Sequence, residues 1–303
     1  MTPAPTVPRT HWVEPAPGVR LWVEEHGDPQ APALLLIMGA ASSGLAWPDP
    51  LVHGLAQRHR VIRYDHRDTG RSTWSFAGRP YAVADLARDA VAVLDALGVE
   101  RAHVAGMSLG GILVQLLVAD HPGRLLSATV FGTCAASEAG WTRADGTKAT
   151  PADLPAVDPR LIEEWSRPVE ERDEAAEIEH RLRHWRLLGG DRIPFDEPFF
   201  RDQEQRVIRH TGHHSPSQAH ALADQSGLVR TAELARNEVP FLVLSAPADP
   251  VYPVYPPDHA THLSQVVGAA RLEEIPGMGH ALPPAVWLPL ARAIEDHTAR
   301  AAS

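Results

Sequence analysis

The chain has 303 residues, 44% hydrophobic and 22% charged, with 38 acidic against 28 basic side chains and a formal net charge of −10. That size admits one large α/β domain with an insertion, or two small domains. The acidic balance, with no Lys/Arg stripe, argues against a nucleic-acid partner; no apolar run approaches the roughly 18 residues that span a bilayer; and a single cysteine, Cys134, excludes an internal disulfide.

The first residues, 1–8, are proline-rich and lack the apolar core of a signal peptide, so with the lone cysteine the expected location is the cytoplasm. Residues 12–25 alternate around Pro17-Gly18 and predict an opening hairpin. Residues 33–38 (ALLLIM) form an apolar run too short for a typical helix and ending at Gly39, which reads as a buried parallel strand. A helix is expected over 47–57 and a strand over 61–64. Leu86, Ala90, Val91, Leu94 and Leu97 then recur at helical spacing, with Gly98 as the stop. A strand-like stretch at 101–105, a tight turn and an apolar helical run at 112–117 come next, followed by a strand at 126–131. Such alternation predicts a mostly parallel sheet covered by helices on both faces.

Near Ala135 the pattern changes. From 135 to 238 the chain is polar and tryptophan-containing, with prolines at 151–159, a charged segment at 163–184 and no buried-strand run. It reads as a mostly helical cap. Strands at 241–244 and 270–275 and a helix at 288–298 complete the chain, giving a plan of core 1–134, cap 135–238 and core 239–303. An insertion between a sixth and a seventh strand lies over the carboxyl ends of the sheet, where ligands bind in open α/β folds.

The chemistry centres on Gly106-Met107-Ser108-Leu109-Gly110, a G-x-S-x-G set between strand and helix. Glycines flanking the serine permit a sharp turn and close helix–strand packing. A serine hydroxyl needs a base, and the base needs an orienting carboxylate. In this topology the acid and then the histidine follow the serine in chain order. Asp249, after the strand at 241–244, and His280, after the strand at 270–275, fall in those places. Backbone N–H groups of Leu109 and of Ala40, in the small-residue loop Gly39-Ala40-Ala41-Ser42-Ser43-Gly44, are the expected oxyanion donors. That loop has neither the G-x-G-x-x-G nor the Walker spacing of a phosphate cradle.

Other polar clusters have plainer readings. Asp65-His66-Arg67-Asp68-Thr69-Gly70-Arg71-Ser72 reads mainly as a hydrogen-bonded turn, and Cys134 as a small buried hydrophobe at a strand end. His210, His213 and His214 share helical spacing, as do His180 and His184, but no H-E-x-x-H or cysteine pattern makes them a metal site. Trp141, Trp165 and Trp185 suggest an aromatic-tolerant pocket roof.

With those residues in view, the sequence resembles the α/β-hydrolases and, more narrowly, the aclacinomycin methylesterase group. The carrying stretches are 32–39 (PALLLIMG), 61–72 (VIRYDHRDTGRS), 89–106 (DAVAVLDALGVERAHVAG) and 274–283 (EIPGMGHALP). The resemblance spans nearly the whole chain and is weakest in the insertion; Ala40 stands where a second glycine is expected. It implies an α/β-hydrolase fold, Ser108 as nucleophile, Asp249 as acid, His280 as base, and Ala40 and Leu109 as oxyanion amides. It further implies removal of a methyl ester from a glycosylated anthracycline, an aromatic polyketide. Ester hydrolysis is the leading expectation. The same triad acting on a lactone, thioester, carbon–carbon bond or peroxyacid is the alternative, and a non-catalytic ligand-binding protein is the third. No cofactor or metal is implied, and the oligomeric state, monomer or small homo-oligomer, stays open.

Overall fold

The computed structural model describes residues 8–168, 170–253 and 258–301. Its frame is an eight-stranded sheet: β1 (Arg9–Ala16), β2 (Val19–His26), β3 (Ala33–Ile37), β4 (Arg60–Tyr64), β5 (Ala102–Met107), β6 (Leu125–Phe131), β7 (Phe241–Ser245) and β8 (Ala270–Glu274). The spatial order is β1-β2-β4-β3-β5-β6-β7-β8. Strand β2 runs antiparallel to both its neighbours, β1 and β4, and the other pairings of this sheet among the described residues are parallel. The helices are α1 (Asp49–Leu55), α2 (Val83–Ala96), α3 (Leu109–Asp120), α4 (Pro159–Trp165), α5 (Glu174–Leu188), α6 (Glu197–Thr211), α7 (Ala219–Leu222), α8 (Thr231–Ala235), α9 (His259–Val266) and α10 (Pro284–Ala301).

The unbroken apolar run of β3 has a direct cause. Successive side chains point to opposite faces, and here both faces are buried. Leu35 and Ile37 join a core with Leu86 and Val93 of α2, Leu113 and Leu117 of α3, and Leu263 of α9. Leu34 and Leu36 join the opposite core with Val52 and Leu55 of α1 and Leu290 and Ile294 of α10. Each such side chain contributes about 1.5–3 kcal/mol on leaving water. At the far edge β8 is only partly buried and carries Arg271, Glu273 and Glu274, charges that discourage pairing with another chain.

Between β6 and β7 the chain passes through α4 to α8 and a two-residue antiparallel pair, Trp141–Thr142 with Lys148–Ala149, which the sequence reading did not expect. Helices α5 and α6 bury Ile178, Leu182, Phe200 and Ile208 in an apolar cluster that also takes in Ala281. Carboxylates cap both helices: Asp173 accepts the Ala176 amide and Asp196 the Phe199 amide. The last of the inserted helices, α8, packs on α3 and α9.

Candidate active site

Ser108 occupies the junction of β5 and α3 with φ +56° and ψ −120°. A non-glycine residue there costs on the order of 1–3 kcal/mol and persists only where its surroundings over-determine it. They do. The Ser108 N–H donates to Phe131 O at 3.1 Å, and its carbonyl accepts from the Gly111 amide at 2.9 Å. The flanking glycines leave no room for a side chain: a Cβ at Gly106 would lie 2.3 Å from Gly110 O, and one at Gly110 2.1 Å from Ile37 O. The strained turn therefore presses α3 against β5 and β3 and presents the half-buried Ser108 at a helix N-terminus.

Asp249 and His280 come together from the loops after β7 and β8. His280 Nδ1 donates to Asp249 Oδ2 at 2.8 Å, with Asp249 3% and His280 7% exposed. The other carboxylate oxygen accepts the amides of Val251 and Tyr252 at 2.8 and 3.0 Å. The His280 N–H donates to Leu188 O at the end of α5, at 2.7 Å. Among the described residues no hydrogen bond joins His280 to Ser108. Both instead flank the Phe131–Gly132 peptide: Ser108 bonds its carbonyl, and a Cβ on Gly132 (φ +52°) would lie 3.1 Å from His280 Nδ1. Catalytic hydrogen bonds are often loose before substrate binds.

The loop after β3 completes the arrangement. Gly39 is so close that a Cβ would stand 3.1 Å from Ser108 Cβ and 3.6 Å from its Oγ. Ala40 is exposed beside it. Leu109, the first residue of α3, has an N–H with no helical carbonyl to meet. Ala41 adopts φ +56°. A small cavity of about 10 Å³ is lined by Gly132, Thr133, Asp249 and Tyr252 among others.

A model of the alpha/beta hydrolase fold matches residues 32–283. This chain belongs to the α/β-hydrolase family. It is 43% identical over 288 residues to rhodomycin D methylesterase DauP of Streptomyces sp. strain C5, covering 92% of this chain and 95% of that protein. Identity and coverage are the same for rhodomycin D methylesterase DnrP of Streptomyces peucetius. Among solved structures, a putative aryl esterase from Burkholderia cenocepacia superposes with a TM-score of 0.72 at 21% identity, covering 97% and 99% of the two chains, which speaks to the fold alone.

In this hydrolase the 65–72 turn is a buried hydrogen-bonding hub. Asp65 accepts from Ser43 Oγ, Gly44 N, Arg71 N and His210 Nε2 at 2.6–2.9 Å. Arg67 forms a two-pronged pair with Asp89, 2.7 Å on each prong. The histidines of shared helical spacing go separate ways: His210 to Asp65, His213 against the Trp74 ring, and His214 to Arg172 O. The three tryptophans do not form one roof. Trp141 is buried against His262, and Trp185 stacks on Phe200 and donates to Glu204. Trp165 is 50% exposed and donates to His184 Nε2 at 2.9 Å. Burial, chiefly, pushes His184 down to about 4. His184 lies one helical turn before Leu188, whose carbonyl accepts the His280 amide. Cys134 pairs with the Tyr252 hydroxyl, and burial pushes both groups up. Among the described residues no helix is long and apolar enough to cross a membrane.

Proposed function

We propose that this hydrolase is a cofactor-free cytoplasmic methylesterase that cleaves the methyl ester of an anthracycline-like aromatic polyketide, with residues 135–238 acting as the cap over its site. The observation that carries the reading is 43% identity along 92% of the chain to two rhodomycin D methylesterases. The strained turn at Ser108 and the Asp249–His280 pair supply chemistry suited to it.

The ring of His280 donates from Nδ1 to Asp249, so its Nε2 lone pair accepts the Ser108 proton. Oγ then attacks the ester carbonyl, and the oxygen takes up negative charge facing the Ala40 and Leu109 N–H groups. Collapse breaks the C–O bond; the methoxide leaving group takes the proton from Nε2 and departs as methanol. A water molecule gives its proton to His280 and attacks the acyl-enzyme. Collapse of the second tetrahedral intermediate returns the proton to Ser108 and releases the carboxylic acid. Asp249 holds the ring in the required tautomer and stabilises its cationic form.

The test is an anthracycline methyl ester incubated with enzyme in ¹⁸O-water. The expected product is lighter by one CH₂ before isotope correction and carries one ¹⁸O, with none in the methanol. Ser108→Ala is expected to lower turnover by roughly 10⁴-fold or more. Near-parental cleavage by Ser108→Ala, or turnover of lactones in preference to every methyl ester, would reject the reading.

A further inference from the structure

We propose that His220, on the returning arm of the insertion, is a positioning residue that fixes the oxyanion loop in its working conformation; the proposal rests on the reading of the Ala40 N–H as an oxyanion donor. The Ala41 amide donates to His220 Nδ1 at 2.9 Å, and His220 Nε2 contacts Arg67 O at 3.0 Å. An amide N–H can only donate and a carbonyl can only accept, so the two partners dictate a neutral ring with its proton on Nε2. Burial agrees: His220 is 4% exposed and is pushed down to about 4, well below the ordinary histidine range.

The neighbouring contacts show what this bond controls. Ala41 sits at φ +56°, a conformation that a non-glycine residue holds only under constraint. Two residues before Ala40, the carbonyl of Met38 accepts from His66 Nε2 at 3.0 Å. His66 is wholly buried and meets His220 edge to face, ring centres 5.5 Å apart. Two touching imidazoles thus pin the peptide units on either side, and the Gly39–Ala40 unit between them carries the proposed donor. The Arg67 carbonyl that anchors His220 is itself held by the Arg67–Asp89 pair. The direction of the Ala40 N–H therefore depends on a side chain 179 residues away from the residue it grips.

Three variants of the full chain test this with p-nitrophenyl acetate as probe. His220→Leu removes the acceptor; His220→Asn restores one near the Nδ1 position; His220→Gln places it one bond too far. For His220→Leu, kcat is expected to fall roughly 10- to 100-fold with KM within about threefold, since an oxyanion donor acts on the transition state. Affinity for an aryl trifluoromethyl ketone, which mimics the tetrahedral adduct, falls by the same factor, and His220→Asn recovers most of both. A His220→Leu protein with parental kcat, or a loss confined to KM, overturns the proposal. Should the leucine variant not fold, equal kcat for His220→Asn and His220→Gln overturns it. Ser108→Ala, measured alongside, tests the site reading separately: activity there sinks the whole assignment, whereas a normal His220→Leu with a dead Ser108→Ala sinks only the positioning role.

Discussion

Asp249→Asn is expected to do more damage than the loss of one charge would suggest. In the parent, Oδ1 accepts two backbone amides at 2.8 and 3.0 Å while Oδ2 accepts from His280 Nδ1 at 2.8 Å. Backbone N–H groups only donate, so the asparagine oxygen must take the Oδ1 position and its NH₂ must face the ring. An NH₂ facing Nδ1 requires a lone pair there, which moves the ring proton to Nε2. In that tautomer the ring cannot accept the Ser108 proton. A fall in kcat of about 10⁴ is expected, or about 5.5 kcal/mol of lost transition-state stabilisation. Packing around residue 249 is retained, so Tm should move by no more than about 4 °C. Steady-state hydrolysis of p-nitrophenyl acetate beside circular-dichroism melts reads both quantities. A variant within tenfold of the parental kcat would refute the tautomer argument and remove Asp249 from its orienting role.

Gly132→Ala is expected to lower kcat roughly 10²-fold by displacing the imidazole, because the new methyl would stand 3.1 Å from His280 Nδ1. Its φ of +52° adds about 1 kcal/mol of strain, visible as a lowered Tm; parental kcat with only a lowered Tm would show that the ring tolerates the methyl. Acid should destabilise the fold in a window set by buried neutral histidines. His66, His103 and His220 are each pushed down to about 4, chiefly by burial, so the unfolded chain binds their protons first as pH falls from about 6.5. The stability they provide is complete above about pH 6.5 and is lost toward pH 4, on the order of 3 kcal/mol each at most. Tm measured from pH 7.5 to 4.5 checks this, and a flat profile would contradict it.

What could be read from the residues alone was what local chemistry controls. The run at 33–38 betrays a strand buried on both faces, because nothing polar is tolerated at any of its positions. Gly106 and Gly110 mark the elbow because each lies against a backbone carbonyl. Three features were harder. The 141–149 hairpin has strands too short to alternate, although Asp145-Gly146, with φ +83° at Gly146, was a usable turn signal. The last helix begins at Pro284 rather than near 288; Pro289 lies in its second turn, where a missing N–H was easier to place at a helix start. His220 carries no local signal at all. Its partners at Ala41 and Arg67 are gathered only when the chain returns to the core, and the histidines that drew notice, 210, 213 and 214, were conspicuous only by spacing.

The seam between Leu188 and His280 limits how enzymes of this design can diversify. One position of the loop that carries His280 is held by a carbonyl that belongs to the inserted region, and a Cβ at Gly279 would lie 2.2 Å from Gly189 O. Ala281, next along the chain, is sealed into the apolar cluster of α5 and α6. Adding or deleting a single residue in α5 would rotate that carbonyl by about 100° and leave the loop unsupported. Changes of chain length are therefore easier to absorb toward α4, where Trp165 stands open, than at the foot of α5, where backbone contacts tie the inserted helices to the His280 loop.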